Sequence, residues 1–241
     1  MFGHAERGYD LASTTFSPEG RIFQVEYAIE AVRHGTAAVG IKCKEGVVLT
    51  VEKRIAPLQK PETIEKIFDI DVHIGAAIAG LTADARVLID HARVETQINR
   101  ITYNEPISTI GLVRKICDYK QLYTIYGGTR PFGVSFLIAG VDPDKTPYLF
   151  MTDPSGAYWS FKATSIGQNS DVVKNFLVNE YKENLTLDEA VILSIRALKK
   201  SLSEDEELDP KNIEIAIIKV EDQKFRRLSS EDIKRYIEKI K

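Results

Sequence analysis

Residues 9–31 read YDLASTTFSPEGRIFQVEYAIEA, a polar lead-in that gives way abruptly to a helical pattern. Ser17 is a candidate cap, and Pro18 suits a first turn, where a missing N–H costs nothing. Ile22, Val25, Ile29 and Val32 then recur at three- and four-residue steps and lay one apolar stripe along about three turns. Gly35, just after His34, is the expected stop, since glycine takes the left-handed conformation that closes many helices. The spacing therefore predicts a helix over residues 17–34 with one buried face. Ahead of it, residues 1–11 hold Gly3, His4, Arg7 and Gly8 and little apolar content, the composition of a mobile chain end.

With 241 residues, 44% of them apolar, the chain can bury a large core as one domain. A net charge of −3 gives no sequence-wide basic footprint for nucleic acid. The KFRR and KRYIEKIK pieces near the end alternate charge with apolar residues and read as solvated faces of a strand and a helix. Two cysteines, Cys43 and Cys117, make no disulfide framework and fit a reducing compartment. No apolar run approaches the roughly twenty residues of a membrane span. The expectation is a soluble, cytoplasmic protein with no nucleic-acid or membrane partner.

Apolar runs at 36–42 and 46–52 flank Lys44-Glu45-Gly46, a tight turn that folds one strand back on the other. A third strand is expected at 73–79, then helices at 82–100 and 109–122, the latter with Val113, Ile116 and Lys120 on one side. Short β-rich runs follow at 134–141, 148–152 and 157–162, separated by turn residues at Asp142-Pro143 and Asp153-Pro154-Ser155-Gly156. Further helices are expected at 170–181 and 187–201, strands at 213–220 and 225–228, and a last helix at 231–240. Thr186 and Glu189 form a capping box. The acidic run 203–207 reads as an exposed loop. Strand groups alternating with helix pairs fit two stacked sheets with helices outside both, and the pattern leaves other layered α/β arrangements open.

Among chemical motifs the sequence is sparse. His4, His34, His73 and His91 never fall at metal-ligand spacing with each other or with a cysteine, and no GxSxG, HExxH or phosphate-cradling loop occurs. No metal or cofactor is expected. Tyr126-Gly127-Gly128-Thr129-Arg130-Pro131-Phe132-Gly133 reads as a rigid glycine and proline turn between a helix and a strand.

The order Tyr9, Phe16-Ser17-Pro18, Gly20-Arg21, Gln24-Val25-Glu26-Tyr27-Ala28 and Ala31 resembles the amino-terminal signature of proteasome α-type subunits, and the likeness continues to Tyr236, nearest to archaeal members. The resemblance implies a four-layer αββα sandwich of α+β class, the fold of amino-terminal-nucleophile hydrolases, with an extra N-terminal helix. Residues 35–241 would form the sandwich, and residues 1–241 a single domain. It also implies a homo-heptameric α ring stacked on catalytic β subunits, a hexameric AAA-type unfoldase as activator, and unfolded protein chains in transit.

Thr36 is the candidate nucleophile, since it follows Gly35 as the catalytic threonine of β-type relatives follows a cleaved glycine and uses its own α-amine as base. Glu52 falls where those relatives carry an aspartate, and Lys66 where they carry a pKa-lowering lysine. Against catalysis, the preceding helix is no disposable leader, so Thr36 keeps no free amine. Glu52 is one methylene too long, a misplacement of about an ångström that can cost about a hundredfold. The supporting Ser-Gly-Asp-Gly-like stretch is replaced near Glu204–Glu207. The expectation is a non-catalytic subunit that gates entry, docks ATPase activators and templates β-ring assembly; the alternative is a self-processing threonine hydrolase using Thr36. The resemblance assigns Tyr9, Asp10, Pro18 and Tyr27 to the gate, and Lys66 with Gly35 and Gly80 to a pocket for an activator's terminal carboxylate. It assigns Tyr126, Gly127, Gly128, Arg130, Pro131, Phe132 and Gly133 to a pore constriction. Ile29 stands where some relatives carry a basic activator contact.

Overall fold

The computed structural model describes residues 8–203 and 208–240. Most of the expected mobile segment 1–11, and Glu204–Glu207 of the acidic run, lie outside the described residues.

Ten strands form two antiparallel sheets. β1 (Ala38–Cys43) and β2 (Gly46–Glu52) make a hairpin in which Cys43 pairs with Gly46, as the Lys44-Glu45 turn requires. With β8 (Ala163–Ile166), β9 (Ile213–Lys219) and β10 (Phe225–Arg227) they form the first sheet, in the order β10-β9-β2-β1-β8. The second sheet, β3-β4-β5-β6-β7, contains β3 (Ile67–Asp71), β4 (Ile74–Gly80), β5 (Val134–Val141), β6 (Pro147–Thr152) and β7 (Tyr158–Ser160). α2 (Thr82–Tyr103) and α3 (Thr109–Ile125) lie outside the second sheet. Outside the first lie α4 (Ser170–Glu180), α5 (Leu187–Lys199) and α6 (Ser230–Glu238).

Strand periodicity explains the layers. In β5, Leu137, Ala139 and Val141 face the first sheet, while Val134, Phe136 and Ile138 meet Leu88, Leu112 and Ile116 from the helices. β2 alternates likewise, with Val47, Leu49 and Val51 between the sheets. Both faces of these strands are buried, so they read as continuous apolar runs. The expected αββα sandwich is the architecture observed.

α1 (Phe23–Arg33) starts later than the spacing predicted. Ser17 does not cap it: its Oγ accepts the Arg21 N–H at 3.2 Å, its carbonyl accepts the Gly20 N–H, and Gly20 sits at φ +78°. Ser17–Arg21 is thus a closed turn ahead of the helix, with Pro18 exposed upon it. A serine followed by a proline marks a turn as readily as a helix start, and the left-handed Gly20 decides for the turn. The buried face is accordingly Phe23, Val25, Ala28 and Val32, with Ile29 half-buried. α1 packs on β4 and β5, and Val32 enters the core between the sheets.

Two strands differ from expectation. β3 is short and carries Asp69 and Asp71, which hid its apolar alternation. The single strand expected over 157–162 is β7, after which the chain crosses between sheets: Phe161 N–H still bonds Leu149 O, whereas Lys162 O already accepts from Lys42 N–H of β1. The crossing has no glycine or proline to announce it. The capping box at Thr186 and Glu189 forms as expected.

Candidate functional site

Thr36 sits where α1 ends and β1 is about to begin, at one edge of the inter-sheet core. Its hydroxyl donates to Glu52 O at 2.8 Å. Lys66 Nζ donates to the Thr36 carbonyl oxygen at 3.0 Å and also contacts Thr36 Oγ1. Burial pushes the Lys66 amine down to about 8, with Arg54 acting in the same direction and Glu52 partly opposing. The lysine and threonine that sequence reasoning paired are therefore in contact. Glu52 turns elsewhere: its carboxylate takes Arg54 Nε at 3.4 Å, and Arg54 in turn donates to Gln168 Oε1 at 2.5 Å.

The pair is the one that the resemblance implies for a nucleophile centre, but the nitrogen of Thr36 belongs to a peptide bond. Gly35 N–H donates to Val32 O at 3.0 Å, and Gly35 O accepts Gln168 N–H at 2.8 Å, so the linkage to α1 is held from both sides. Gly35 also packs directly on Gly80: a Cβ added at Gly35 would lie 2.4 Å from Gly80 N. Gly80, at φ +112°, is in turn pressed against the Gly133 carbonyl, where a Cβ would fall 2.2 Å away. No side chain fits at either position without moving backbone.

Of the gate candidates, Tyr9 and Asp10 are half-buried and Pro18 and Tyr27 exposed. Asp10 O accepts from Gln24 Nε2 at 2.5 Å, which ties the segment to α1, and Tyr27 stacks on Phe23. Among the described residues no hydrogen bond joins the side chains of Tyr9, Asp10 and Tyr27 to one another. Within one chain they are brought near α1 but not into a bonded cluster.

The loop after α3 divides in two. Tyr126, Gly127, Gly128 and Thr129 are exposed, with local bonds from Tyr126 N–H to Leu122 O and from Thr129 Oγ1 to Tyr126 O. Pro131, Phe132 and Gly133 are buried, and the Phe132 ring packs on Tyr123 at 4.4 Å and Tyr119 at 5.9 Å. Gly127, Gly128, Thr129 and Arg130 share a groove of about 410 Å³ with Leu11, Ala12, Ser13, Thr14 and Gln24. Residues distant in sequence thus meet at one end of the sandwich.

Sequence reasoning missed Asp84, in the first turn of α2. Burial works to raise its carboxyl, but hydrogen bonds from Arg130 and the Gly133 N–H outweigh that and hold it below the usual carboxylate value. An acidic residue one turn into a helix is common for dipole reasons alone, so nothing local marked it. Gln168 and Arg54 were missed likewise, since their partners arrive only through the fold. Among the described residues no group of His, Cys, Asp and Glu side chains is placed to hold a metal ion, and no helix is long and apolar enough to cross a membrane.

A family model described as proteasome subunit matches residues 32–218, and a second, for the N-terminal signature of proteasome A-type subunits, matches residues 9–31. A protein of Archaeoglobus fulgidus named as a proteasome alpha subunit is 55% identical over 97% of this chain and 94% of its own length. Proteins of the same name from Methanocaldococcus jannaschii and Methanosarcina acetivorans are 56% and 52% identical, over 96% and 98% of this chain and 88% and 94% of theirs.

Proposed function

Because this chain belongs to the proteasome α-subunit family, we propose that it is the non-catalytic outer-ring subunit through which substrate enters the proteolytic chamber. Proteasome α subunits form rings with β subunits. The finer reading is a homo-heptameric ring that gates entry, docks a hexameric AAA-type unfoldase, passes unfolded chains and templates β-ring assembly in the cytoplasm.

One observation carries the non-catalytic reading. The Thr36 nitrogen is an amide, fastened through Gly35 to a helix whose Val32 is part of the inter-sheet core. An amino-terminal threonine nucleophile needs its own free amine as base. Lys66 beside the Thr36 hydroxyl does not restore that arrangement, since its nitrogen is a side-chain amine and not the threonine's own α-amine.

A groove lined by Leu11, at the end of the proposed gate segment, and by Gly127, Gly128 and Arg130 of the proposed constriction supports the gating reading. Tyr9, Asp10, Pro18 and Tyr27, unbonded to one another in one chain, have donors and acceptors to offer a neighbouring copy. Lys66, with Gly35 and Gly80 beside it, would receive an activator's carboxylate by exchanging its present carbonyl contact for a charged one. The test is co-expression with the cognate β subunit. Peptide hydrolysis that survives Thr36→Ala in this chain, with a two-ring stoichiometry of copies, supports the reading; hydrolysis by the purified chain alone contradicts it.

A further inference from the structure

The loop proposed as the constriction must pass from exposed at Thr129 to fully buried at Val134. That return is governed from another element. Asp84, 7% exposed on α2, takes Arg130 Nη1 on Oδ2 at 2.6 Å and Arg130 Nη2 on Oδ1 at 2.7 Å. Asp84 Oδ2 also accepts the Gly133 N–H at 2.8 Å. Arg130 Nη1 donates further to Pro131 O at 3.0 Å, so the guanidinium is tied into the backbone that follows it.

Neighbouring bonds continue the grip. Leu81 N–H, just before α2, donates to Gly133 O at 2.9 Å. Lys120, wholly buried on α3, donates from Nζ to Val134 O at 2.9 Å. The loop base is thus held by two helices, while among the described residues the tip at 126–129 makes only local bonds.

A bidentate carboxylate and guanidinium pair fixes a plane as well as a distance. Phe132, packed on Tyr119 and Tyr123, anchors the base without setting the direction in which the preceding residues leave it. The Arg130 side chain is 61% exposed and that of Asp84 10%, so the pair is open to solvent on the arginine side. Its contribution lies in orientation.

We infer that Asp84 is a positioning residue for substrate passage: by holding Arg130 and Gly133 together it sets how far the 126–129 tip projects, and hence the width of chain admitted. The inference rests on the constriction reading of this loop. Its substrate class is extended polypeptide, discriminated by girth and not by side-chain chemistry.

The test uses the assembled core particle with wild-type β subunits and two forms of one unfolded protein. One form is reduced; the other is closed by an internal disulfide, so that two strands must pass abreast. Asp84→Asn keeps an acceptor for Gly133 N–H while losing the charge that orients Arg130, and Arg130→Gln alters the other partner. Each is expected to raise the ratio of closed-form to reduced-form degradation roughly fivefold, and the double variant no further than either alone. A deletion of Gly127 and Gly128 serves as the control on the loop itself. If the deletion changes the ratio and the two substitutions do not, Asp84 does not position the loop, although the loop is a constriction. Additive effects of the two substitutions would also overturn the shared anchor. If the deletion too leaves the ratio unchanged, the constriction reading fails and the inference goes with it.

Discussion

Lys66 Nζ lies 3.0 Å from the carbonyl oxygen of Thr36, and it also contacts the hydroxyl of that residue. The contact joins the lysine and threonine that the resemblance pairs, while the Thr36 nitrogen remains an amide. A hydroxyl with no adjacent amine is an ordinary strand-edge group that bonds Glu52 O. Replacing it should therefore affect folding and not turnover.

Thr36→Ala removes one hydrogen bond to Glu52 O and one acceptor for Lys66. The expected loss is about 0.5–1.5 kcal/mol of subunit stability, read by urea unfolding, with peptide hydrolysis of the assembled particle unchanged.

Lys66→Ser removes the only charge proposed to meet an activator's carboxylate. Rings should still assemble, as seen by native mass spectrometry, while stimulation of peptide hydrolysis by an unfoldase is lost. Full stimulation would assign docking to other residues.

Tyr9→Phe deletes one hydroxyl from the proposed gate. A bond between neighbouring copies worth about 0.5–1.5 kcal/mol, repeated around a ring, biases the open and closed populations. Activator-stimulated hydrolysis should fall without a change in unstimulated ring assembly. Equal stimulation of variant and wild type would remove Tyr9 from the gate.

Lys120 is wholly buried and, among the described residues, has no carboxylate partner; it bonds Val134 O and Thr152 Oγ1, and burial lowers its amine from 10.5 to about 8. The unfolded chain therefore binds more protons than the folded one between about pH 8 and the ordinary lysine range, and stability from this group rises with pH across that window. Lys66 titrates in the same sense, so the comparison must isolate Lys120. Between pH 7.5 and 10, wild type should gain stability relative to Lys120→Met, by no more than about 1.4 kcal/mol per pH unit. Parallel curves would mean that burial does not lower the amine and that it stays charged in the fold across this range.

Much of the sandwich was legible because its strands bury both faces. β2 and β5 fell at their expected bounds, and the Thr186 capping box was readable from two residues. The start of α1 was not, since Ser17-Pro18 suits a turn as well as a helix, and only the Gly20 conformation separates them. β3 was hidden by its aspartates, and the crossing from β7 to β8 lacked a breaker residue. At the site, the pairing of Thr36 with Lys66 followed from the resemblance to known hydrolases. The pairing of Asp84 with Arg130 did not, because it joins residues whose separation in sequence carries no pattern.

The central claim is that the chain stays continuous through Gly35 and Thr36, which keeps the threonine nitrogen an amide. Intact mass of this protein, taken from the assembled and active particle, tests it most directly. The account predicts a mass that includes α1 and the residues before it. A mature chain whose first residue is Thr36 would contradict it and make this protein a threonine hydrolase.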